Sequence, residues 1–183
     1  MILNTKNFEI SGVKLFSIKS YSDNRGLFSE VFLSKLDHNE FKMEYVQENE
    51  SISNFGTFRG MHLQMGNHSQ SKLIRVVKGK IIDVVCDLRK SSSSFKKKIF
   101  IKLDPNQILF LPKGLAHGFL SLEDGTILNY KCDNFYNPDS ESGFNLFKTK
   151  KEINLPLKSV DIIMSSKDKS LQSLDNSYIY EDL

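Results

Sequence analysis

Residues 56–64 read Gly-Thr-Phe-Arg-Gly-Met-His-Leu-Gln, a strand-like stretch that carries polar side chains among apolar ones. Successive side chains of a strand point to opposite faces, so His62 and Gln64 should share one face with residues 58 and 60. Gly60 leaves room on that face. Such a polar face indicates either a lined cavity or an exposed edge strand with a solvated histidine, and the stretches around it favour the cavity.

The chain on both sides of this stretch has the pattern of an all-β protein. Short alternating or β-branched runs recur every 8–12 residues or so between turn residues, which predicts about eight or nine strands in a sandwich or barrel. The turn at residues 78–80 predicts a hairpin that joins residues 72–77 to residues 80–88. The turn at residues 123–125 predicts a second hairpin that leads into residues 126–132.

Regular patterns outside these strands are few. Residues 33–41 form the one plausible helix of the first half, with Ser34 as its cap. After Pro138 the pattern weakens and predicts a loop, one short strand and a short helix. Residues 170–183 are expected to form a tail that is frayed from Tyr178 onward. Because there is no linker or repeat, the sequence predicts a single domain over residues 1–183.

Composition narrows the class of protein. The 183 residues are 39% hydrophobic and 26% charged, and the net charge of +3 is too small to indicate a nucleic-acid partner. No apolar run approaches the roughly 18–20 residues that span a bilayer, so no membrane association is expected. Residues 1–16 lack the apolar region of a signal peptide. With Cys86 and Cys132 in apolar strands as buried thiols, we expect a cytoplasmic protein.

Polar residues inside apolar strand patterns are candidates for a functional site. His62 suits a general base near neutral pH, and Tyr130 suits a general acid. Lys72 suits a cation that meets an oxyanion or a phosphate, although a lysine at a strand end also commonly reaches water. The full set of such residues is Arg59, His62, Gln64, Lys72, Asp83, Asp87, His117, Tyr130 and Lys131.

Ten short motifs follow one another along the chain. The motif at residues 23–30 is Asp-Asn-Arg-Gly-Leu-Phe-Ser-Glu, and the one at residues 112–119 is Pro-Lys-Gly-Leu-Ala-His-Gly-Phe. The others lie at residues 47–51, 59–62, 70–73, 79, 83–89, 130–131, 136–138 and 165–168. Taken together in this order, they make the chain similar to the dTDP-4-dehydrorhamnose 3,5-epimerase family, cupin-type enzymes of nucleotide-sugar biosynthesis, over roughly residues 10–170.

This resemblance implies a cupin-type jelly-roll barrel with short peripheral helices that works without metal or organic cofactor. His62 would remove the proton next to a C4 ketone, and Asp168 would hold and polarise His62. Lys72 would stabilise the enolate, and Tyr130 would return a proton from the other face.

The resemblance also implies contacts and an assembly. The substrate would be a nucleotide-diphosphate sugar, and the protein would be a homodimer with its N-terminal strands at the contact. Tyr136 would stack on the substrate. The positions that match substrate contacts in the family are Arg25, Glu30, Gln47, Asn49, Arg59, His117, Tyr136 and Lys167.

Metal-binding cupins place two histidines and a glutamate close together, and that set is missing here. His62 is followed by Leu63 and Gln64, while His68 lies in a polar loop. A three-ligand set cannot be assembled at this spacing, so the sequence predicts no metal site.

Departures from the family pattern leave the exact substrate open. Residues 65–69 contain no proline, Leu155-Pro156 replaces the usual Trp-Pro, and residues 91–95 read Ser-Ser-Ser-Ser-Phe rather than the common Ser-Pro form. The reaction that the resemblance implies is inversion at C3, C5 or both of a dTDP-4-keto-6-deoxyhexose. The alternatives are a single-carbon epimerase, a 3,4-ketoisomerase on another sugar nucleotide, and a non-catalytic cupin that only binds one.

Overall fold

The computed structural model describes residues 2–32, 44–149, 153, 155–157 and 161–181. The helix predicted for residues 33–41 lies outside these residues. Strands dominate the described part of the chain, so the all-β prediction is confirmed. More strands are found than predicted, because very short ones such as Ser20–Asp23 and Glu141–Gly143 have no room for a visible alternation.

The described residues form thirteen strands and one short α-helix. The helix, α1, spans Ser166–Ser170, and 3-10 turns lie at Gly66–His68, Pro138–Ser140 and Leu174–Asn176. The strands are β1 (Ile2–Asn7), β2 (Lys14–Ile18), β3 (Ser20–Asp23), β4 (Gly26–Ser29), β5 (Gln47–Ser53), β6 (Phe58–Gln64), β7 (Lys72–Lys78), β8 (Ile81–Asp87), β9 (Lys98–Leu103), β10 (Gln107–Leu111), β11 (Leu115–Ser121), β12 (Thr126–Cys132) and β13 (Glu141–Gly143).

Two sheets face each other. One has six strands in the order β1-β2-β10-β7-β12-β5, and the other has five in the order β13-β6-β11-β8-β9. The hairpin of β3 and β4 stands apart from both. All pairings between these strands are antiparallel. Strand β6 is covered on both sides by β13 and β11, so the interpretation of residues 56–64 as an exposed edge is wrong.

Both hairpins predicted at residues 78–80 and 123–125 are wrong. Strands β7 and β12 belong to the six-stranded sheet, whereas β8 and β11 belong to the five-stranded sheet, so each turn carries the chain across the barrel. Gly79 has φ 87°, and a Cβ there would lie 2.4 Å from the Thr126 hydroxyl oxygen. Glycine is therefore needed at position 79 because the backbone passes close to Thr126, and not because the turn forms a two-residue hairpin.

The core lies between the sheets and continues on their outer faces. In β8, Val85 packs into the central cluster while its neighbour Val84 packs into a second cluster behind the five-stranded sheet. In β7, Ile74 is central and Leu73 faces a third cluster behind the six-stranded sheet. Strands that are buried on both faces have nearly continuous apolar sequences, and residues 81–88 show this pattern apart from Asp83 and Asp87.

The C-terminal segment covers the second cluster. Tyr180 is 9% exposed, and its N–H donates to the Leu88 carbonyl at 2.8 Å. The expectation of a frayed tail from Tyr178 onward is therefore wrong for the part of that tail that the structure describes. In the described ranges no helix has the length and apolarity to cross a membrane.

Candidate active site

A cavity of about 760 Å³ opens between the two sheets. Its walls come from β5, β6, β7, β11 and β12 and from the segment that leads into α1. Eight of the predicted site residues line it: Asn49, Arg59, His62, Lys72, His117, Tyr130, Lys167 and Asp168. They come from both sheets and from α1, so the fold brings together groups that are far apart in the sequence.

An irregularity in β6 places two of its polar side chains, Arg59 and His62, at the same cavity. The pairing of β6 with β11 shifts register between His117 and Phe119, and Arg59 and His62 both line the cavity although they are three residues apart. A regular strand would send residues at that spacing to opposite faces. The sequence predicted open space at Gly60, and this is wrong. A Cβ at this position would lie 2.6 Å from the Gly118 Cα, so the two backbones are in close contact.

His62 is held by a carboxylate from α1. Its Nε2 lies 2.7 Å from Asp168 Oδ1, and Asp168 is 4% exposed. The Ser165 hydroxyl accepts the Asp168 N–H at 3.0 Å, which caps α1 and fixes the position of the acid. The Gly60 N–H points at the second carboxylate oxygen, Asp168 Oδ2, at 3.4 Å.

The charge state of Asp168 decides which ring nitrogen of His62 is free. Burial alone would raise the pKa of Asp168, but hydrogen bonds from His62, Gly60 and Ser165 outweigh it and hold the pKa below its usual value. An ionised carboxylate only accepts hydrogen bonds. His62 Nε2 therefore carries a proton, and in the neutral imidazole Nδ1 keeps the lone pair.

Lys72 and Tyr130 lie together on the six-stranded sheet. Lys72 Nζ is 5.7 Å from the centroid of the Tyr130 ring. Burial lowers the pKa of Lys72, while Cys132 and Asp83 act in the opposite direction. Burial raises the pKa of Tyr130, and the charges of Cys132 and Glu141 add to that effect. The phenol is therefore a donor that stays protonated at neutral pH.

Three further polar residues surround these groups. Arg59 donates from Nε to the Ser53 hydroxyl at 3.1 Å. His117 Nε2 lies 2.7 Å from Asp83 Oδ2, and Asp83 is fully buried. Lys167 follows Ser166 in α1, and its side chain is 60% exposed at the cavity wall. The positive charges of Arg59 and Lys167 at the cavity suit an anionic ligand.

A second, small cavity of about 80 Å³ adjoins the first. Gln47 and Tyr136 line this one, while His62, Lys72, Tyr130 and Asn49 line both cavities. Tyr136 is 48% exposed, and its hydroxyl donates to Glu141 Oε2 at 2.6 Å.

Arg25 and Glu30 line neither cavity. Arg25 sits at the turn between β3 and β4, where its side chain is 85% exposed and paired with Asp23. Glu30 follows β4 and is exposed. The structure therefore gathers ten of the predicted site residues and leaves these two outside.

Glu141 is a site residue that the sequence analysis missed. Its Oε2 accepts the Tyr136 hydroxyl and the Lys167 ammonium, and its Oε1 lies 4.0 Å from His62 Nδ1. It belongs to β13, a three-residue strand in the region where the sequence pattern fades. The signal that could have found it is its position three residues after Pro138, directly beyond the motif at residues 136–138.

Metal ligands do not cluster in the described ranges. No group of three or more His, Cys, Asp or Glu side chains there could hold a metal ion. Asp168 and Glu141 do flank His62, but they contact it as hydrogen-bond and charge partners. The expectation of a metal-independent protein stays a prediction.

Two facing antiparallel sheets around a polar cavity define the class of protein as a cupin-type jelly roll, as predicted. A family profile described as dTDP-4-dehydrorhamnose 3,5-epimerase matches residues 7–176. The chain belongs to this family of isomerases. The resemblance found in the sequence is thereby confirmed, and so is the prediction of an enzyme.

Individual relatives agree with that assignment. The dTDP-4-dehydrorhamnose 3,5-epimerase of Methanothermobacter thermautotrophicus is 38% identical over 93% of this chain and 94% of its own. The crystal structure of the Sulfolobus tokodaii enzyme of that name has a TM-score of 0.88 at 35% identity, covering 98% and 99% of the two chains. A Legionella pneumophila dTDP-6-deoxy-D-glucose-3,5-epimerase, solved with dTDP-4-keto-L-rhamnose, has a TM-score of 0.88 at 32% identity, covering 94% and 93%.

Proposed function

We propose that this chain inverts C3 and C5 of a dTDP-linked 4-keto-6-deoxyhexose. One observation carries the proposal: His62 comes from the five-stranded sheet, Tyr130 comes from the six-stranded sheet, and both line one cavity. Inversion at carbon needs a base and an acid on opposite faces of the sugar, and opposite sheets can supply them. The family and its named relatives support the substrate class.

His62 acts as the base through Nδ1. Because Asp168 takes the Nε2 proton, Nδ1 has the lone pair that removes a hydrogen α to the C4 ketone. The buried carboxylate also stabilises the imidazolium that forms, as the third member of a hydrolase triad does. A positioned general base of this kind contributes on the order of 10²–10⁴ in rate.

Lys72 and Tyr130 complete the proton transfer. Removal of an α proton pushes an electron pair onto the ketone oxygen, and Lys72, which lines the cavity, meets that charge as an ammonium. Tyr130 then gives its hydroxyl proton to the carbon from the other side. The raised pKa of Tyr130 keeps it protonated until the enolate needs the proton.

The cations near the cavity hold the diphosphate. Arg59 and Lys167 present charge to phosphate oxygens, and His117, fixed by Asp83, adds a polar contact. Asn49 and Gln47 are joined by a hydrogen bond of 3.0 Å and offer amide groups to the sugar. Tyr136 sits beside them with half of its surface exposed, where it can cover a bound ligand.

We also propose the homodimer that the sequence predicts. Tyr21, Leu27 and Phe28 on the hairpin of β3 and β4 are 50%, 63% and 67% exposed, and a second copy would bury them. Arg25 lies at the tip of this hairpin, away from the cavity of its own chain. In the dimer Arg25 and Glu30 would then serve the cavity of the partner. A cytoplasmic location without membrane or nucleic-acid partners stays part of the proposal.

Incubation with dTDP-4-keto-6-deoxyglucose in heavy water tests the proposed function. We expect deuterium at both C3 and C5, together with inverted configuration at both carbons in the product. Exchange at C3 alone would make the chain a single-carbon epimerase. Tight binding without exchange at either carbon would refute an enzymatic role and favour the non-catalytic alternative.

A further inference from the structure

Two inversions in one cavity create a need for proton return. In each inversion a C–H bond breaks and its proton goes to His62 Nδ1, while the electron pair moves to the C4 oxygen. The enolate carbon then takes the hydroxyl proton of Tyr130. The step ends with a protonated His62 and an ionised Tyr130. In this state His62 cannot remove a proton from the second carbon, and Tyr130 cannot donate one to it. One proton must pass from His62 to Tyr130 before the second inversion.

The small cavity connects the two groups that must exchange this proton. It is lined by His62 and Tyr130, and also by Glu141 and Tyr136. Glu141 and Tyr136 do not line the large cavity where the substrate is expected. At about 80 Å³ the small cavity has room for about two water molecules, since a water occupies about 30 Å³ of liquid. It is lined by enough polar groups to hold them.

Glu141 is placed to take the proton first. Its Oε1 lies 4.0 Å from His62 Nδ1, the nitrogen that Asp168 leaves free. That distance is too long for a direct hydrogen bond and suits one bridging water or a small rotation. Its other oxygen is fixed by the Tyr136 hydroxyl at 2.6 Å and by Lys167. The carboxylate is thus anchored by one oxygen and turned toward the base with the other.

We propose that Glu141 and the small cavity return the proton between the two inversions. The His62 Nδ1 proton passes to Glu141 Oε1, and the same or an equivalent proton passes through the cavity to the Tyr130 phenolate. The net change is one proton moved from imidazolium to phenolate, with no change in total charge. Glu141 does not line the large cavity where the sugar is expected, so it is a positioning and relay residue. This inference rests on the proposed two-carbon epimerisation.

Glu141→Gln tests the relay because it keeps the shape of the side chain and removes its ability to carry a proton. In single-turnover experiments with enzyme in excess, quenched samples show how much product is inverted at one carbon and at both. We expect the first inversion at nearly the wild-type rate and the second slowed by about 10²-fold, with the singly inverted sugar accumulating. Asp139→Asn is the matched control, since Asp139 is exposed, lies two residues away and lines neither cavity.

A merely structural role for Glu141 gives a different result. Both inversions would then slow together and their ratio would stay at the wild-type value, which would overturn the relay. An unchanged rate for both inversions would overturn it as well. Glu141→Ala with added formate is the second arm: formate should restore the second inversion selectively if a carboxylate in this cavity carries the proton. Formate that leaves the ratio unchanged would contradict the proposal.

The wild-type arm separates this inference from the function on which it rests. If wild-type enzyme inverts neither carbon, the proposed function fails. If wild-type enzyme inverts both carbons and Glu141→Gln keeps the same ratio of second to first inversion, only the relay fails.

Discussion

Replacement of Asp168 by asparagine should disable His62 without changing the shape of the site. The carboxylate accepts the His62 Nε2 proton at Oδ1 and faces the Gly60 N–H with Oδ2. An asparagine offers one oxygen and one NH₂ group, so it cannot do both. With its oxygen on His62, its NH₂ faces the Gly60 donor. With the amide turned over, its NH₂ donates to Nε2 and drives the histidine proton onto Nδ1, where the base should have its lone pair.

The magnitude follows from the same contact. A unit charge pair near 4 Å is worth about 4 kcal/mol at an effective dielectric constant of about 20. The His62 side chain is 29% exposed and the Asp168 side chain is 6% exposed, so we reduce this to about 3 kcal/mol for the imidazolium formed in the reaction. At 1.36 kcal/mol for each tenfold change, that is a loss on the order of 10² in kcat. The blocked tautomer can raise the loss to about 10⁴.

Steady-state kinetics with dTDP-4-keto-6-deoxyglucose measures this effect. We expect kcat of Asp168→Asn to fall by 10²–10⁴, on the order given above, with KM changed less than about threefold, because the buried carboxylate acts on the base and leaves the substrate contacts in place. Asp175→Asn is the control, since the Asp175 side chain is 90% exposed and should not matter. A near-normal kcat for a folded Asp168→Asn enzyme would refute the proposed role of the His62–Asp168 pair.

Three further outcomes follow from the site and the surface. Tyr130→Phe should keep solvent exchange at one carbon at least while inverted product falls much further, whereas Lys72→Met should lower exchange and product together; equal losses in Tyr130→Phe would show that Tyr130 is not a pure acid. A chelator such as EDTA should leave activity unchanged, because Lys72 already supplies the cation that the enolate needs; loss of activity that a divalent ion restores would contradict this. Phe28→Asp should shift sedimentation at micromolar concentration toward monomer, because Phe28 is 67% exposed on the hairpin proposed for the dimer contact; a wild-type protein that sediments only as monomer would contradict the dimer.

The local sequence pattern located many of the strands but did not show which strands pair with each other. The mostly apolar run at residues 81–88, interrupted only by Asp83 and Asp87, marks β8, because a strand that is buried on both faces does not alternate between apolar and polar residues. The turn at residues 78–80 gives no sign that the chain crosses to the other sheet. That crossing is set by long-range packing, in which Gly79 approaches Thr126 from across the barrel.

The central site residues were predictable because motifs carried them. His62 and Asp168 are 106 residues apart, and no periodicity could have joined them; the resemblance to a family did. Glu141 was not predicted as a site residue because β13 has only three residues, which is too short to show an alternating pattern. The position of Arg25 outside the cavity could not be read from the sequence either, since it depends on where a separate hairpin stands relative to the sheets.

Deuterium exchange at C3 and C5 in His62→Ala, followed by NMR in heavy water beside the wild-type enzyme, shows whether His62 is the base for both carbons. If one base serves both carbons, exchange at both should fall by at least about 10² while affinity for dTDP stays within about threefold of the wild-type value. Near-normal exchange at either carbon in His62→Ala would refute this role of His62, because a second base would then have to be present.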